Sequence, residues 1–258
     1  MTNRRLVLRL FFWSIPVFFF PFHPRAQTAP CVAILNHVNS LYRNGSSYAV
    51  MSVKVVTAHS TRHMRAQVWS KGEKYILVRT LEPAQDRGTA TLKSAGSVWT
   101  YLPAVDRVIS VPPSLLDAPW MESHLTTGDV MMDRIHADEY IAEVSFSGAR
   151  EGTEVVEITL FPKPAAAAAW SKAVVRVRRT DWIPVRIEYF REPTGPARTL
   201  TFSDIRDLDG RKLPTTIRVI PADAENEYTE ITYETIRFDV DIDDDFFSLK
   251  RLRNQAIP

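Results

Sequence analysis

The chain has 258 residues, of which 45% are hydrophobic, and this content is enough for a sizeable core and excludes a wholly disordered chain. The chain has 32 Lys and Arg and 30 Asp and Glu, but the first 26 residues contain four of the arginines and no acidic residue. The rest of the chain therefore has a slightly negative net charge. It lacks the concentrated basic face that nucleic-acid binding requires. A single cysteine, Cys31, excludes an intramolecular disulfide and a multi-cysteine zinc site.

Residues 1–26 have the organisation of an export signal, with arginines first, an apolar run over 10–22 and a short polar end. A bilayer span takes roughly 20 residues, so this run favours a cleaved signal peptide over a membrane anchor. We expect a signal peptide over 1–26 and one soluble domain over 27–258, outside the cytoplasm. Lipid attachment at Cys31 is disfavoured by the preceding Pro30. The cleavage site and the export route, general secretory or twin-arginine, stay open.

One helix and many strands are predicted for the domain. Five apolar residues near its start form one helical stripe, namely Ile34, Leu35, Val38, Leu41 and Tyr42. Apolar and polar residues then alternate in most segments, for example 64–68, 156–160, 175–178 and 183–189. Such alternation is typical of antiparallel strands with one apolar face, and no strand–helix–strand rhythm appears. The prediction is therefore a mainly β domain built on a single curved antiparallel sheet.

Residues 112–134 interrupt the strand pattern and are predicted to form short helices over an open face of the sheet. Their apolar side chains are expected to act as a movable lid: Leu115, Leu116, Trp120, Met121, Met131 and Met132. Methionine suits a surface that adapts to partners of different shapes. The space beneath is either a filled core or a cavity, and composition alone favours neither.

The sequence offers no catalytic or metal-binding constellation. It has no nucleophile elbow, phosphate-binding loop or dinucleotide fingerprint. His59 and His63 lie in strand-like sequence, where such spacing places them roughly 13 Å apart, too far to share a metal ion. The calcium-like start at 239–243 lacks the required glycine and the closing glutamate, since Asp244 and Lys250 occupy those positions. We expect a protein that is not an enzyme and has neither metal nor cofactor.

A cavity under the lid would suit an acyl chain. Burial of a 16-carbon chain contributes at most about 11 kcal/mol, at about 0.8 kcal/mol for each methylene. Binding of this kind needs no catalytic residue, which agrees with the sequence.

Several motifs in fixed order resemble one known family. The stretches 88–92 and 99–103, followed by Arg107 and Pro112, are similar to the G-x-A-x-L, W-x-Y-x-P, R and P pattern of the outer-membrane lipoprotein-sorting, or LolA-like, family. The similarity continues along the chain through Met121, Ser123, Asp129, Tyr140, 162–164, 209–211, Pro214, Thr215 and 246–249. One departure lies at 121–125, where this chain reads Met-Glu-Ser-His-Leu and the family tends to read Met-Gly-Ser-Asp-Phe.

The resemblance implies a half-open antiparallel β-barrel of about eleven strands with a few covering helices. It also implies a periplasmic location and an apolar cavity for lipid or lipoprotein acyl chains. The implied partners are an inner-membrane exporter or an outer-membrane acceptor, and the carrier is expected to be a monomer.

Two functions are compatible with these features. The first is a carrier in lipoprotein sorting or beside an exporter, with a ligand-binding cavity lined by Met51, Val53, Met64, Val68, Ile76, Val78, Leu92, Trp99 and Tyr101. The alternative is a non-catalytic binding or sensor module that docks a membrane protein through a sheet edge or the lid. Both require an exposed apolar segment, so the sequence does not separate them.

Overall fold

The protein is described here by a computed structural model, which covers residues 29–42, 45–131, 137–164, 166, 170–192, 194–224 and 226–253. The helices are α1 (Ala29–Ser40), α2 (Thr127–Val130) and α3 (Leu249–Arg253), and 3-10 turns lie at Pro103–Val105, Pro113–Leu115, Trp120–Glu122, Ala137–Glu139 and Asp244–Phe247. The strands are β1 (Ser46–Val56), β2 (Thr61–Lys71), β3 (Tyr75–Glu82), β4 (Ala90–Ser94), β5 (Ser97–Leu102), β6 (Arg107–Val111), β7 (Tyr140–Arg150), β8 (Thr153–Pro162), β9 (Lys172–Arg178), β10 (Pro184–Phe190), β11 (Arg198–Leu208), β12 (Arg211–Pro221) and β13 (Tyr228–Phe238). None of these helices is long and apolar enough to cross a bilayer.

All the strands belong to one antiparallel sheet of thirteen strands, in the order β6-β5-β4-β3-β2-β1-β13-β12-β11-β10-β9-β8-β7. The pairing of β1 with β13 joins two meanders, one built from β1 to β6 and the other from β7 to β13. The sheet does not close into a barrel, because β6 and β7 are its two edges. The predicted half-open antiparallel architecture is confirmed. The count of about eleven strands was too low, because β4 and β6 have only five residues each and show too little alternation to be recognised.

The two faces of the sheet are covered by different parts of the chain. We call inner the face covered by α1 and by the segment after β6, and outer the face covered by residues 244–253. The inner face carries a continuous apolar cluster that extends over both meanders. Strand β1 contributes to it by strict alternation of buried and half-buried residues, the pattern expected for a strand with one apolar face.

Helix α1 covers part of the inner face with its predicted apolar stripe. Ile34, Leu35 and Val38 are buried in the inner cluster. Just beyond the helix, the hydroxyl of Tyr42 donates a hydrogen bond of 2.8 Å to the backbone oxygen of Pro214. Its ring also stacks on Tyr233, with 5.1 Å between ring centroids. Tyr42 therefore fastens the end of α1 to β12 and β13.

The C-terminal segment 244–253 forms a second, smaller apolar cluster on the outer face. Phe247 and Leu252 pack there with Trp69 and Leu77. The buried guanidinium of Arg79 donates hydrogen bonds of 3.0 and 3.4 Å to the backbone oxygens of residues 251 and 252, where α3 ends and a cation is favourable. Burial lowers the pKa of Arg79. Strand β3 is consequently covered on both faces, and five consecutive residues in it are buried.

The two leucines of α3 provide a matched test of this packing. Leu252 is fully buried, whereas Leu249 is 45% exposed. We expect Leu252→Ala to lower the free energy of unfolding by about 2–5 kcal/mol, because it leaves a cavity in the outer cluster. Leu249→Ala should change it by less than about 0.5 kcal/mol. Urea denaturation of both variants checks the difference, and equal effects would contradict the described position of α3.

Candidate functional site

A compact loop follows β6 and covers part of the inner face. We call this loop, residues 112–131, the lid. Its own backbone hydrogen bonds hold it together. The amide of Trp120 donates to the oxygen of Leu125 at 2.7 Å, and the amide of Gly128 donates to the oxygen of Leu116 at 2.8 Å. The short helices predicted for this segment are present as two 3-10 turns and α2. The lid is therefore a preformed unit that rests on the sheet.

The underside of the lid is apolar and belongs to the inner cluster. Trp120 and Met131 are buried in that cluster, and Leu116 and Met121 pack against it from partly exposed positions. Leu115 faces solvent and is 52% exposed. Met132, also predicted to belong to the cover, lies outside the described residues. Leu125 and Val130, which were not among the predicted cover residues, are buried with them.

The strongest attachment of the lid is an ion pair between α2 and β11. The guanidinium of Arg198 donates two hydrogen bonds to the carboxylate of Asp129, at 2.6 and 2.9 Å, and both side chains are nine-tenths buried. Asp129 is also the third residue of α2 and forms a reciprocal capping box with Thr126. Trp170 and Tyr189 contact the guanidinium through their rings, whose centroids are 4.9 and 4.7 Å away. Burial alone would lower the pKa of Arg198, but the Asp129 carboxylate outweighs it and raises that pKa.

A second attachment joins the lid to the start of β13. The His124 amide donates to the hydroxyl of Thr229 at 2.9 Å, and His124 Nε2 lies 3.2 Å from a carboxylate oxygen of Glu227. Glu227 also accepts a hydrogen bond of 2.8 Å from the amide of Ala58, in the β1–β2 turn. The hydrogen bond from Ala58 makes the larger contribution and the contact with His124 the smaller, and together they hold the pKa of Glu227 below its ordinary value. One carboxylate thus connects the lid, β13 and the β1–β2 turn.

The third attachment binds the lid to β2 and β3. Arg62 donates to the backbone oxygen of Met121 and lies 3.5 Å from the carboxylate of Glu122. The hydroxyl of Thr80 lies 3.4 Å from the Met121 sulfur. Met121 and Glu122 both have left-handed backbone conformations, with φ of 47° and 55°. Position 122 is where the LolA-like pattern tends to have glycine, the residue that adopts this conformation most readily.

The structure divides the nine residues predicted to line a cavity between the two faces of the sheet. Six of them belong to the inner cluster: Met51, Val53, Met64, Val68, Ile76 and Val78. The other three lie on the outer face, beside the C-terminal segment: Leu92, Trp99 and Tyr101.

The prediction that these nine residues share one face is therefore wrong for three of them. In the observed register Val78 is opposite Thr91, whereas Leu92 is opposite Leu77, so Val78 and Leu92 point to different faces. Apolar residues cover both faces of β3, and for this reason alternation in the sequence could not reveal which residues point inward.

Sequence reasoning missed the polar residues that attach the lid. The spacing of Thr126 and Asp129 is a capping-box signature and could have located the start of α2. Arg198 is 69 positions from Asp129, and no local pattern indicates that the two meet. Glu227 and Thr229 likewise approach His124 only through the fold.

The lid and the inner face meet through apolar side chains. The inner face supplies buried apolar side chains, and the lid supplies a matching apolar underside with polar attachments around it. Among the described residues, no group of three or more His, Cys, Asp or Glu is placed to hold a metal ion.

Comparison with known proteins places the chain in a family. A family model with the description "Uncharacterized protein" matches residues 72–254, which is more than half of the chain. The chain belongs to this family. The matched part contains the whole lid and the strands from β3 to β13. No curated protein matches the chain.

Solved structures show which fold this family member has. A putative outer membrane lipoprotein-sorting protein domain from Vibrio parahaemolyticus matches with a TM-score of 0.76 at 20% identity, over 87% of this chain and 99% of the other. A DUF1329 family protein from Desulfovibrio piger matches with a TM-score of 0.74 at 22% identity, over 86% and 96%. A LolA superfamily protein from Nitrosomonas europaea matches with a TM-score of 0.72 at 20% identity, over 86% and 98%. The resemblance to LolA-like proteins is confirmed, and the family member has the LolA-like fold.

The Asp129–Arg198 pair should stabilise the closed lid. We expect Asp129→Asn to lower the free energy of unfolding by about 3–5 kcal/mol, because it leaves a buried guanidinium without its counter-charge. Glu230→Gln is the matched control, since it removes one partner of the more exposed Arg218–Glu230 pair and should cost less than about 1 kcal/mol. Chemical denaturation measures both effects. Equal effects would contradict the buried state of the pair.

The Glu227 contacts predict a specific pH dependence. A carboxylate whose pKa is lower in the folded protein stabilises the fold fully above its ordinary pKa of about 4.5 and loses that contribution as pH falls through the folded value. We therefore expect wild type to be more stable than Glu227→Gln at neutral pH, with the difference disappearing in acid. Thermal unfolding of both proteins across this pH range is the measurement. A difference that grows toward acid would contradict the contact.

Proposed function

We propose that the protein is a carrier, exported to the periplasm after removal of residues 1–26, that binds lipid or lipoprotein acyl chains between the inner face and the lid. The observation that carries the proposal is the contrast between the two parts of the lid: its underside is apolar and continuous with the inner cluster, and its attachments are polar. The LolA-like fold supports the same function, because a solved protein with this fold is described as a lipoprotein-sorting domain.

The proposed binding exchanges the contacts of the lid for those of the cargo. Release of the lid breaks three polar attachments, which contribute about 1–3 kcal/mol each. An acyl chain that takes the place of the lid underside contributes up to about 11 kcal/mol through the methylenes that it removes from water. The polar groups released at the lid margin can be rehydrated, and the inner face stays covered by the acyl chain. The apolar side chains of the lid underside lose their contacts with the inner face, and this loss reduces the net gain.

The proposed cargo contacts are side chains of the inner cluster. Met51, Met64 and Val68 belong to this cluster from the sheet, and Trp120 and Met131 belong to it from the lid. Methionine is unbranched and adapts to chains of different shape, which suits a carrier with more than one acyl ligand. The proposed partners are an inner-membrane exporter that delivers the cargo and an outer-membrane acceptor that receives it, and none of these steps requires a catalytic residue.

Mass spectrometry of bound lipid tests the proposal. The protein purified from periplasm without detergent should release phospholipid or acylated peptide on organic extraction, at close to one molecule per chain. Delipidated protein should regain cargo when mixed with liposomes. An empty, folded protein that takes up none of several lipid classes would contradict the carrier function and would favour a filled core.

Variants of the lid attachment extend the test to the mechanism. Asp129→Asn should speed the exchange of a fluorescent fatty acid by about 100-fold or more, because the loss of about 3–5 kcal/mol expected for this variant corresponds to such a factor at about 1.4 kcal/mol for each tenfold. Glu230→Gln is the matched control and should exchange at the wild-type rate. An unchanged rate in the folded Asp129→Asn variant would show that the lid does not control access.

A further inference from the structure

Several exposed apolar side chains lie near the edge strand β6. Seven large hydrophobic residues of the described chain are strongly exposed, and three of them flank or belong to the edge strand β6: Val105 at 61%, Ile109 at 47% and Leu115 at 52%. A fourth, Leu249 at 45%, belongs to α3, which lies beside the same strand. Clustering of this kind at a surface indicates an interaction site rather than chance exposure.

A groove between α3 and β6 adds positive charge to this edge. It has a volume of about 510 Å³ and is lined by Val108, Leu249, Lys250 and Arg253, so two cations face it and none of the lining residues is acidic. Asp106, beside Val105, is exposed and accepts a hydrogen bond of 3.1 Å from the hydroxyl of Tyr101.

Helix α3, which forms one side of the groove, is fixed to the outer face of the sheet. Leu252 is buried in the outer cluster, and Arg79 donates to the backbone oxygens at the end of α3. These contacts fix the helix so that Leu249, Lys250 and Arg253 are presented toward β6 rather than toward the core.

We propose that this edge docks the protein on the surface of a bilayer that contains anionic phospholipids. We define the β6 edge surface as Val105, Val108, Leu249, Lys250 and Arg253, because Arg107 and Ile109 point to the opposite face of β6 together with Val111. Its apolar side chains would enter the interfacial region, and its cations would meet the phosphates of anionic headgroups, the combination that peripheral membrane surfaces use. Charge complementarity selects a lipid surface with negative charge over a neutral one.

The β6 edge surface lies next to the lid in the chain. Strand β6 ends at Val111, and the lid begins at the next residue, Pro112. A protein docked through β6 therefore has the start of its lid at the membrane. Docking itself requires only the outer groove and the edge strand, so it can be measured whether or not the inner face binds lipid.

Vesicle flotation tests the docking surface. The probe is unilamellar vesicles of phosphatidylcholine alone or mixed in equal parts with phosphatidylglycerol, and the protein is the periplasmic form with its N-terminus determined by mass. We expect wild type to float with the anionic vesicles and to stay unbound with the neutral ones. The double variant Lys250→Gln, Arg253→Gln should bind anionic vesicles about thirtyfold more weakly, at about fivefold for each cation. Leu249→Asn should also weaken binding.

Matched controls carry the same changes elsewhere on the surface. The double variant Arg179→Gln, Arg206→Gln removes two cations whose side chains are 62% and 63% exposed, after β9 and on β11, and Val144→Asn alters a residue with 49% exposure on the opposite edge, β7. Both controls should bind as wild type does, and thermal unfolding should show that every variant is folded. No binding of wild type to anionic vesicles would overturn the proposal, as would equal losses in test and control variants. Binding only to membranes that contain protein would also overturn it and would assign the surface to a protein partner.

Discussion

An antiparallel sheet that does not close must cover its apolar inner face by some other means, and this constraint determines the arrangement of the rest of the molecule. Here β6 and β7 remain as edges, and the thirteen strands between and including them carry one continuous apolar cluster. Helix α1 covers part of it, and the lid covers another part. A closed barrel would need neither, because its interior is sealed by strand pairing alone. Because the sheet is open, its inner face needs a cover from other parts of the chain.

Helix α1 and the lid, the two covers of the inner face, are held by different kinds of contact. Helix α1 contributes a buried apolar stripe and is fastened by the stacked ring and the hydroxyl of Tyr42. The lid also buries apolar side chains, but its attachments reach strands of both meanders: β2 and β3 through Arg62 and Thr80, and β11 through Arg198. Polar attachments can be exchanged for water, whereas apolar contacts need another apolar partner. This difference supports the proposed exchange of the lid for an acyl chain.

The sequence indicated the features that depend on local periodicity. The stripe from Ile34 to Tyr42 predicted α1, and alternation in 156–160 and 175–178 predicted β8 and β9. Alternation did not show which residues of β3 to β5 point inward. Residues 244–253 cover the outer face there, so residues on both faces of these strands are apolar. The contacts of Asp129 and His124 could not be predicted, since their partners are about 70 and 100 positions away and come together only when both meanders pair.

Hydrogen–deuterium exchange of the lid with and without cargo tests the central claim most directly. In the delipidated protein the amides of Trp120, His124 and Gly128 donate hydrogen bonds and should exchange slowly. When a long-chain phospholipid is added, the account predicts faster exchange at residues 113–131 while β1, β2 and β13 keep their protection. Bound phospholipid with an unchanged lid would contradict the account, because the cargo would then occupy a site that the lid does not cover.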